Sequence, residues 1–238
     1  MDGLSVKRSS SPKRKKSTVS AKAAARKPGR VAVKSSLGRV RLQQSVGRRG
    51  FDFTYAMRLL VNDMVGRMPE LSHIDMSRVA VAMVQARVDS SHGIFATLTP
   101  MRFEQGARHT TRRGRKYGVQ TLFDEHGREM LYILSFYLPR FQNMDFSEKM
   151  ITIFHELWHI SPNFDGDIRR HPGRCYAHSS SQKEYDEHMA VLSAKYLMKK
   201  PSPQLFQFLE VDFSKLYANS GGVYGVKIPR PKLIPVSA

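Results

Sequence analysis

The sequence predicts an α+β fold with an N-terminal helix, a small sheet of three or four strands, and two longer helices. Three observations lead to this prediction. Apolar residues recur at helical spacing between positions 53 and 68, and short runs rich in β-branched and aromatic residues follow between 78 and 138. From position 146 onward the spacing is helical again. Helices and strands are therefore grouped along the chain instead of alternating, which is typical of α+β proteins.

The first elements are one helix and two strands. Apolar residues at helical spacing predict a helix over Phe53–Met68. Repeated valines predict a strand from Arg78 to Val88, and Ile94–Phe103 is predicted as the strand that returns from it. Pro100 lacks an N–H group, which favours an edge position or a bulge for this second strand.

A basic run and the most strand-like stretch of the chain come next. Residues 108–116 (RHTTRRGRK) are predicted as a loop, and Tyr117–Phe123 as a short strand. Glu129–Leu138 (EMLYILSFYL) has the strongest strand pattern and ends before Pro139. This strand is either internal to the sheet or an edge on which an extended peptide adds as a further strand.

Two long helices complete the predicted domain. Phe146–Ile160 is amphipathic, and we expect its apolar side to face the core with Trp158 as an anchor. A second helix is predicted from Ser181 to Lys199, where Pro201 stops it. A short helix and a Gly/Pro-rich tail are expected after residue 202.

The charge of the chain divides it into segments. The formal net charge is +19, and residues 1–50 contribute +14 of it, with 15 Lys or Arg, one acid and no aromatic residue. Such a segment cannot bury enough apolar surface to offset the entropy of ordering it, so residues 1–50 are predicted to be a disordered basic arm. Residues 51–200 are predicted to form the domain, and residues 201–238 an extension packed on it or trailing it.

The basic segments predict contact with nucleic acid. Lys and Arg neutralise phosphates and release counterions, which gives affinity without sequence preference. We expect DNA or RNA to bind through residues 1–50 and 108–116, where the candidate residues are Arg112, Arg113, Arg115 and Lys116. A solubilising tail, a nuclear-import signal and a solvated loop are the alternatives that the sequence leaves open.

Composition excludes several classes of protein. The single cysteine, Cys175, rules out an intramolecular disulfide framework and a multi-cysteine zinc ribbon. No apolar segment follows the basic N-terminus, unlike in a secretory signal, and MLYILSFYL is about half as long as a membrane-spanning helix. We expect a soluble cytoplasmic protein without membrane contact. Association with the nucleoid is compatible with this expectation, and in a eukaryotic host the protein would be nuclear.

The strongest chemical signal is the HExxH motif His155-Glu156-Leu157-Trp158-His159. On a helix, His155 and His159 lie on one face one turn apart, so both imidazoles can bind a single Zn²⁺. Glu156 would then lie beside the activated water and take its proton during attack on a carbonyl. The motif predicts a zinc-dependent metalloendopeptidase that acts on protein or peptide.

The third ligand determines the type of zinc site. His178 is the best candidate, because it follows His159 by 19 residues and precedes the second long helix, where it can complete a three-histidine site. Asp165 is disfavoured because position 162 is Pro instead of the Gly that would let the chain fold back. The alternatives that remain are Glu184, Glu187, Asp165 and His171.

Other polar residues near the motif have two interpretations each. Asp165 and Asp167 are either acceptors for the N–H of a ligand imidazole or turn residues around Gly166. Tyr176 and Tyr185 either donate to a developing oxyanion or pack in the core, and packing is favoured.

The motif and its flanks resemble a known family. The HELWH helix, a loop of about twenty residues and a His before a second helix resemble the SprT-like zinc metallopeptidases. The segment HELWHISPNFDGDIRRHPGRCYAHSSSQKEYDEHM is similar, more narrowly, to the phage metallopeptidase group, as is HIDMSRVAVAMVQARVDSSHGIFATLTPMRFEQG. The resemblance covers about residues 51–200 and implies a zincin-like fold.

The resemblance also implies roles for individual residues. His155, His159 and His178 would be the zinc ligands and Glu156 the general base. The chain departs from the SprT-like pattern at Ser179, where that pattern usually has Gly, and its single cysteine excludes the Cys₄ ribbon that many members carry. SprT-like proteases that degrade DNA–protein crosslinks need contact with DNA, which the basic segments would supply.

Three functional hypotheses follow. The first is a zinc endopeptidase directed to nucleic acid or nucleoprotein by its basic arm. The second is an inactive zincin scaffold that serves as a nucleic-acid-binding or phage-structural protein. The third is a regulatory protease with a single protein target. The intact Glu156 favours an enzyme, because a scaffold needs metal ligands but no general base.

Overall fold

The computed structural model describes residues 39–41, 49–86, 93–170 and 182–236 of the 238-residue chain. These residues form the α+β fold that the sequence predicts. The α-helices are Phe53–Arg67 (α1), Phe146–Trp158 (α2), Gln182–Met198 (α3) and Phe213–Ser220 (α4). The strands are Arg39–Arg41 (β1), Phe51–Asp52 (β2), Val79–Gln85 (β3), Ala96–Pro100 (β4), His109–Arg112 (β5), Arg115–Val119 (β6), Thr121–Phe123 (β7), Tyr132–Leu138 (β8), Val223–Tyr224 (β9) and Leu233–Pro235 (β10).

The main sheet has three strands in the order β3-β8-β4, with β3 parallel and β4 antiparallel to β8. The structure decides one alternative that the sequence left open and changes one interpretation. The strand at Glu129–Leu138 is internal and supplies no edge, and β4 returns along β8 instead of along β3. Because β8 is buried almost throughout, it needs neighbours on both sides, and β3 and β4 supply them. The edge position indicated by Pro100 is confirmed.

The core lies mainly on one face of this sheet. The side chains there pack against α1, α2 and α3, and include Val81, Met83, Leu134 and Phe136. The opposite face carries a smaller cluster around Ala80, Ala82 and Ile133, which Leu122 and Ile228 cover. Alternate residues of each strand therefore serve two separate clusters, as the pleat of a strand requires.

The basic run 108–116, predicted as a loop, is a β-hairpin. β5 and β6 pair antiparallel through a two-residue turn in which Arg113 (φ 49°) and Gly114 (φ 74°) both have positive φ. Such a turn matches the twist of the strands that it joins. β10 pairs with the other edge of β6, so the hairpin belongs to a three-stranded sheet in the order β10-β6-β5. We call β5, the turn and β6 the basic hairpin.

Part of the segment expected to be a disordered arm is described as a strand. β1 pairs in parallel with β7, so that Arg39 lies opposite Thr121 and Arg41 opposite Phe123. Strand pairing satisfies backbone groups and does not require apolar side chains, which the prediction of disorder did not consider. Residues 1–38 and 42–48 lie outside the described residues.

Residues after α3 pack closely against α2. Phe208 and Leu209 belong to the main core. Lys149 of α2 is only 2% exposed, and its Nζ donates to the carbonyl oxygens of Leu209 (2.8 Å) and Val211 (3.1 Å). The buried ammonium group is therefore held by backbone carbonyls, and its burial lowers the pKa of Lys149 to about 8.

None of the helices in the described part of the chain is both long enough and apolar enough to cross a membrane.

We expect the free energy of unfolding to rise between pH 8 and 9.5 because of Lys149. Its folded pKa of about 8 lies below the ordinary value of 10.5, so the unfolded state binds more protons in this range and stability increases with pH. The increase should be about 1.5 kcal/mol, measured by urea unfolding against Lys149→Met. Lys215→Met, at an exposed lysine, is the matched control and should preserve the rise. Equal pH dependence in wild type and Lys149→Met would contradict this assignment.

Candidate active site

The helix that carries the HExxH motif is fixed by its apolar side. Met150, Ile153, Phe154 and Leu157 are all 0% exposed. At its N-terminus the backbone N–H of Asp145 donates to the Glu148 side chain (3.3 Å), which is one half of a capping box. Because the apolar stripe occupies one side of α2, the two motif histidines lie on the side away from it.

The two histidines meet at the C-terminal end of α2. Their ring centroids are 4.7 Å apart and the ring planes are inclined at 75°. His155 is in the last turn and His159 is the C-cap residue, whose N–H donates to the carbonyl oxygen of His155. Two imidazoles one turn apart form the donor pair that binds Zn²⁺ in helix-borne sites, so these side chains fit a metal ion.

Glu156 lies beside this pair in a drier environment. Its side chain is 9% exposed, and burial raises the pKa of its carboxyl group to about 7, although a backbone hydrogen bond with Leu98 acts in the opposite direction. A carboxyl group with a pKa near neutrality can both accept and return a proton at physiological pH. The hydrogen bond also shows that the Glu156 carboxylate reaches strand β4.

The edge of β4 that faces Glu156 has no strand neighbour in the described part of the chain. The N–H of Tyr137 donates to Phe95 and that of Met101 to Leu131, so the odd-numbered residues of β4 bond with β8. The even-numbered residues turn their backbone polar groups outward, and one of these groups is the N–H of Leu98. The candidate site therefore adjoins an open strand edge.

Helix α3 presents two residues to the histidines. The Tyr185 ring is 4.7 Å from that of His155 and 5.9 Å from that of His159, centroid to centroid, and its side chain is 4% exposed. Burial raises the pKa of the Tyr185 hydroxyl, so it stays protonated. Asp186 Oδ1 lies 3.8 Å from His155 Nδ1. A carboxylate at this nitrogen favours the tautomer that leaves Nε2 without a proton, which is the form that binds a metal.

The loop after α2 folds back on the end of the helix. The N–H of Arg169 donates to the carbonyl oxygen of His159 (2.7 Å), and Ile160 forms a bridge with Ile168. The chain folds back although position 162 is Pro, because Gly166, at φ +90°, makes the turn, and the Asp165 side chain accepts a hydrogen bond within it. The buried Tyr132 hydroxyl anchors this turn, accepting from the N–H of Gly166 and donating to the carbonyl oxygen of Asp167.

The two aspartates of this loop have structural roles. The Asp165 side chain accepts from the N–H of Asp167, an interaction typical of a turn. Asp167 is 5% exposed and accepts from the backbone of Gln105 and from Arg170. Of the two interpretations left open by the sequence, these contacts support the turn interpretation for both residues.

Trp158 also has a defined environment. It is partly buried against the main core, as expected of an anchor. The Arg169 guanidinium carbon lies 4.1 Å from the centroid of the indole, and the His188 ring 4.8 Å from it. Arg169 Nε also donates to the carbonyl oxygen of Trp158 (2.8 Å), so the loop is held to the helix by a cation–π contact and a hydrogen bond.

Some candidates for the third ligand lie outside the described residues, and others lie on α3. His178, together with His171 and Tyr176, falls in residues 171–181, which lie outside the described residues. Glu184 and Glu187 are exposed residues of α3, and Tyr185 and Asp186 of the same helix contact His155. Within the described ranges, no group of three His, Cys, Asp or Glu side chains is placed to hold a metal ion.

Sequence reasoning missed Asp186 and Leu98. Asp186 directly follows Tyr185, but only the packing of α3 on α2 brings it to His155. The Leu98 N–H acts through the backbone, so no residue type marks it. Neither residue carries a signal that is readable without the fold.

The basic hairpin displays the four candidate residues for nucleic-acid contact on an exposed surface. Arg112 and Arg115 lie directly opposite each other at its end, and Arg113 and Lys116 adjoin them. None of the four has a described acidic side chain within 4.0 Å. Like charges at directly opposite positions destabilise a strand pair, so a bound anion would relieve this repulsion.

Together, the α+β fold, the histidine pair and the adjacent buried glutamate define the class of proteins with an HExxH helix beside an open strand edge. The family model described as "Putative phage metallopeptidase" matches residues 54–186, which is more than half of the chain. The chain belongs to this family. Neither a comparison with curated proteins nor one with solved structures found a match. The match extends from α1 into α3 and includes the whole HExxH helix, and the family's description implies a bound metal.

The turn at Gly166 yields a stability prediction. A Cβ at this position would lie 2.5 Å from Arg102 Cγ, whereas a Cβ at Gly127, also at positive φ, would meet nothing within 4 Å. Gly166→Ala should therefore lower the free energy of unfolding by at least about 1 kcal/mol more than Gly127→Ala, because only the former adds a clash to backbone strain. Urea unfolding of both variants measures this difference, and equal losses would show that the loop accommodates the methyl group.

Proposed function

We propose that this protein is a zinc-dependent metalloendopeptidase that cleaves protein substrates at or near nucleic acid. Membership of a metallopeptidase family supports the reaction class. The observation that carries the proposal is the juxtaposition of the His155–His159 pair, the buried Glu156 carboxylate and the open edge of β4. These are the parts that peptide hydrolysis requires, namely a metal-binding pair, a proton acceptor and a surface that holds an extended peptide.

In this proposal His155, His159 and His178 hold the metal, in the manner of the SprT-like enzymes that the sequence resembles. Bound Zn²⁺ would supply Lewis-acid polarisation of the peptide carbonyl and lower the pKa of water. Asp186 orients His155 through Nδ1 so that Nε2 is available as a ligand. Tyr185 packs against both rings and restricts their rotation.

Glu156 moves the proton. Its carboxylate accepts a proton from the attacking water and returns it to the nitrogen of the leaving amine. Burial beside Leu98 places the pKa of this group near 7, so the unprotonated form needed for the first step is available at neutral pH. The substrate would lie extended along β4 and pair with its outward backbone groups other than the Leu98 N–H, which Glu156 engages, ending at Pro100, which has no N–H to offer.

The basic segments would direct the protease to nucleic acid. Residues 1–50 carry a net charge of +14, and the basic hairpin adds four exposed cations from Arg112 to Lys116. Both would bind phosphates without sequence preference, which suits a protease directed to nucleoprotein. An inactive scaffold would use the same charges but would not need a buried Glu156.

Glu156→Gln provides the most direct test of the reaction. We expect wild type to contain one zinc per chain, and Glu156→Gln to keep the zinc while cleaving an unfolded basic protein about 10²- to 10⁴-fold more slowly, because the proton acceptor is lost and the ligands are not. Elemental analysis and gel-based cleavage assays measure these quantities. Wild type without zinc would contradict the enzyme proposal, and cleavage unaffected in the variant would contradict the role of Glu156. Zinc bound without any cleavage by wild type would favour the scaffold.

The same assays test the metal ligands and the proposed contact with nucleic acid. His155→Ala, His159→Ala and His178→Ala should each lower zinc content, whereas His188→Ala, at an exposed histidine beside Trp158, should not. If Glu184→Ala or Glu187→Ala loses zinc while His178→Ala keeps it, that glutamate and not His178 is the third ligand.

Contact with nucleic acid is tested by adding single-stranded DNA and by deleting residues 1–48. If neither changes the rate of cleavage, the proposal that nucleic acid directs the protease is refuted.

Asp186→Ala tests the orientation of His155. We expect zinc affinity to fall about 10- to 100-fold, because the imidazole loses the carboxylate that fixes its tautomer. The Asp186 side chain is 49% exposed, so the substitution should leave the melting temperature near that of wild type. Competition with a fluorescent chelator measures the affinity, and Glu125→Ala, at an exposed carboxylate between β7 and β8, is the matched control. Affinities that agree within twofold would exclude an orienting role.

A further inference from the structure

A cleft at the base of the basic hairpin is lined by two arginines and a histidine together with apolar residues. It has a volume of about 210 Å³ and lies where the segment between β4 and β5 meets the three-stranded sheet. Its polar lining is formed by Arg102, Arg108, His109 and Thr121. None of these residues belongs to the group at the tip of the hairpin that the sequence indicated.

The positive charge in this region exceeds what its acid can balance. The Glu129 carboxylate is 14% exposed and accepts hydrogen bonds from Arg102 and from Arg108 (3.4 Å), and Arg78 approaches it to 4.0 Å. Three guanidinium groups around one carboxylate leave a local excess of two positive charges. A singly charged anion in the cleft would reduce this excess.

Arg102 is fixed in position before any ligand arrives. Its side chain is 8% exposed and its stem lies against Gly166, where even a methyl group would overlap it. Two of its five N–H groups donate in the described structure, one to the carbonyl oxygen of Met101 and one to Glu129. A rigid guanidinium that lines a cleft and keeps further donors loses little entropy when it binds an oxyanion.

The cations continue outward from the cleft along the hairpin. Three residues of extended strand, about 10 Å, separate His109 at the cleft from Arg112 at the tip. Lys116 lies opposite Thr111, two residues from His109, and therefore on the same face of the hairpin, whereas Arg112 and Arg115 are on the other face. A single small anion would use the cleft alone, whereas a nucleic-acid strand can also reach Lys116.

We propose that this cleft binds a backbone phosphate of a nucleic acid, with Arg102 and Arg108 as the principal donors and His109 and Thr121 beside them. Lys116, on the same face of the basic hairpin as His109, then contacts a neighbouring phosphate of the same strand. This inference rests on the nucleic-acid part of the proposed function and gives that part a specific site.

The cleft is also close to the candidate active site along the chain. Arg102 follows Leu98 by four residues, so their backbones are at most about 14 Å apart. A nucleic acid anchored at Arg102 lies beside the end of the strand on which the substrate would pair. Proteins bound to that nucleic acid are thereby presented to the open edge of β4.

The experiment compares Arg108→Gln with Arg128→Gln in the full zinc-loaded chain that carries Glu156→Gln, so that no activity is required. Both arginines are exposed, but Arg128 pairs with Asp124 and does not line the cleft. Binding of a labelled 12-nucleotide oligo-dT is followed by anisotropy at several salt concentrations. Loss of one phosphate contact should weaken binding about fivefold at 0.1 M salt and reduce the salt slope by about 0.7, and Arg128→Gln should do neither.

Hydrogen exchange separates this site from the basic arm. We expect the oligonucleotide to protect backbone amides of residues 102–109 and 116–121, and Arg108→Gln to need about fivefold more oligonucleotide for the same protection while keeping its melting temperature. Oligonucleotide binding without protection there, or with equal losses in the two variants, would overturn the proposal. Equal protection by inorganic phosphate at matched phosphate concentration would make free phosphate the ligand, and equal protection by a 12-residue poly-glutamate would replace the nucleic acid by an acidic peptide; either result overturns it.

The outcome is independent of the peptidase proposal. A chain that cleaves protein but shows no protection at the cleft loses this site and keeps its activity. A chain that shows the protection but neither binds zinc nor cleaves protein keeps the site and loses the enzyme.

Discussion

The packing of one side of α2 on the core is the interaction on which the candidate site depends. Four completely buried apolar side chains fix the rotation of this helix about its axis. Each contributes about 1.5–3 kcal/mol relative to an exposed position, so their sum is comparable with the whole stability of an ordinary domain. A rotation of α2 about its axis would expose these side chains and lose this free energy of burial. His155 and His159 are therefore held toward α3, and Glu156 toward β4.

The surroundings of α2 convert this fixed orientation into a site. β4 brings an open edge to Glu156, α3 brings Tyr185 and Asp186 to the histidines, and the loop closed by Gly166 covers the end of the helix. The same loop holds the stem of Arg102, so the candidate active site and the proposed phosphate cleft share one structural support. The candidate active site and the proposed phosphate cleft are adjacent because Glu156 contacts the middle of β4, whereas Arg102 follows its end by two residues.

Local patterns predicted the elements, and long-range contacts explain what they did not predict. The helical period located α1, α2 and α3 within a few residues, and the HExxH spacing located the histidine pair. The predicted pairing of β4 with β3 was wrong because strand pairing depends on distant segments that propensity does not compare. The basic hairpin was predicted as a loop because its sequence is rich in charged residues. Its two threonines, which favour strands, and its Arg-Gly pair, which favours a positive-φ turn, were given too little weight. Asp186, Leu98 and Arg102 acquire their roles only through tertiary packing.

The central claim is that His155 and His159 share one zinc ion beside Glu156. A crystal structure of the zinc-loaded protein, with anomalous data collected at the zinc edge, tests it most directly. The account predicts a single strong anomalous peak about 2.0–2.1 Å from one nitrogen of each imidazole, with a third protein ligand from residues 171–181. A zinc ion bound elsewhere, or no anomalous peak between these two side chains in protein shown to be folded, would contradict it.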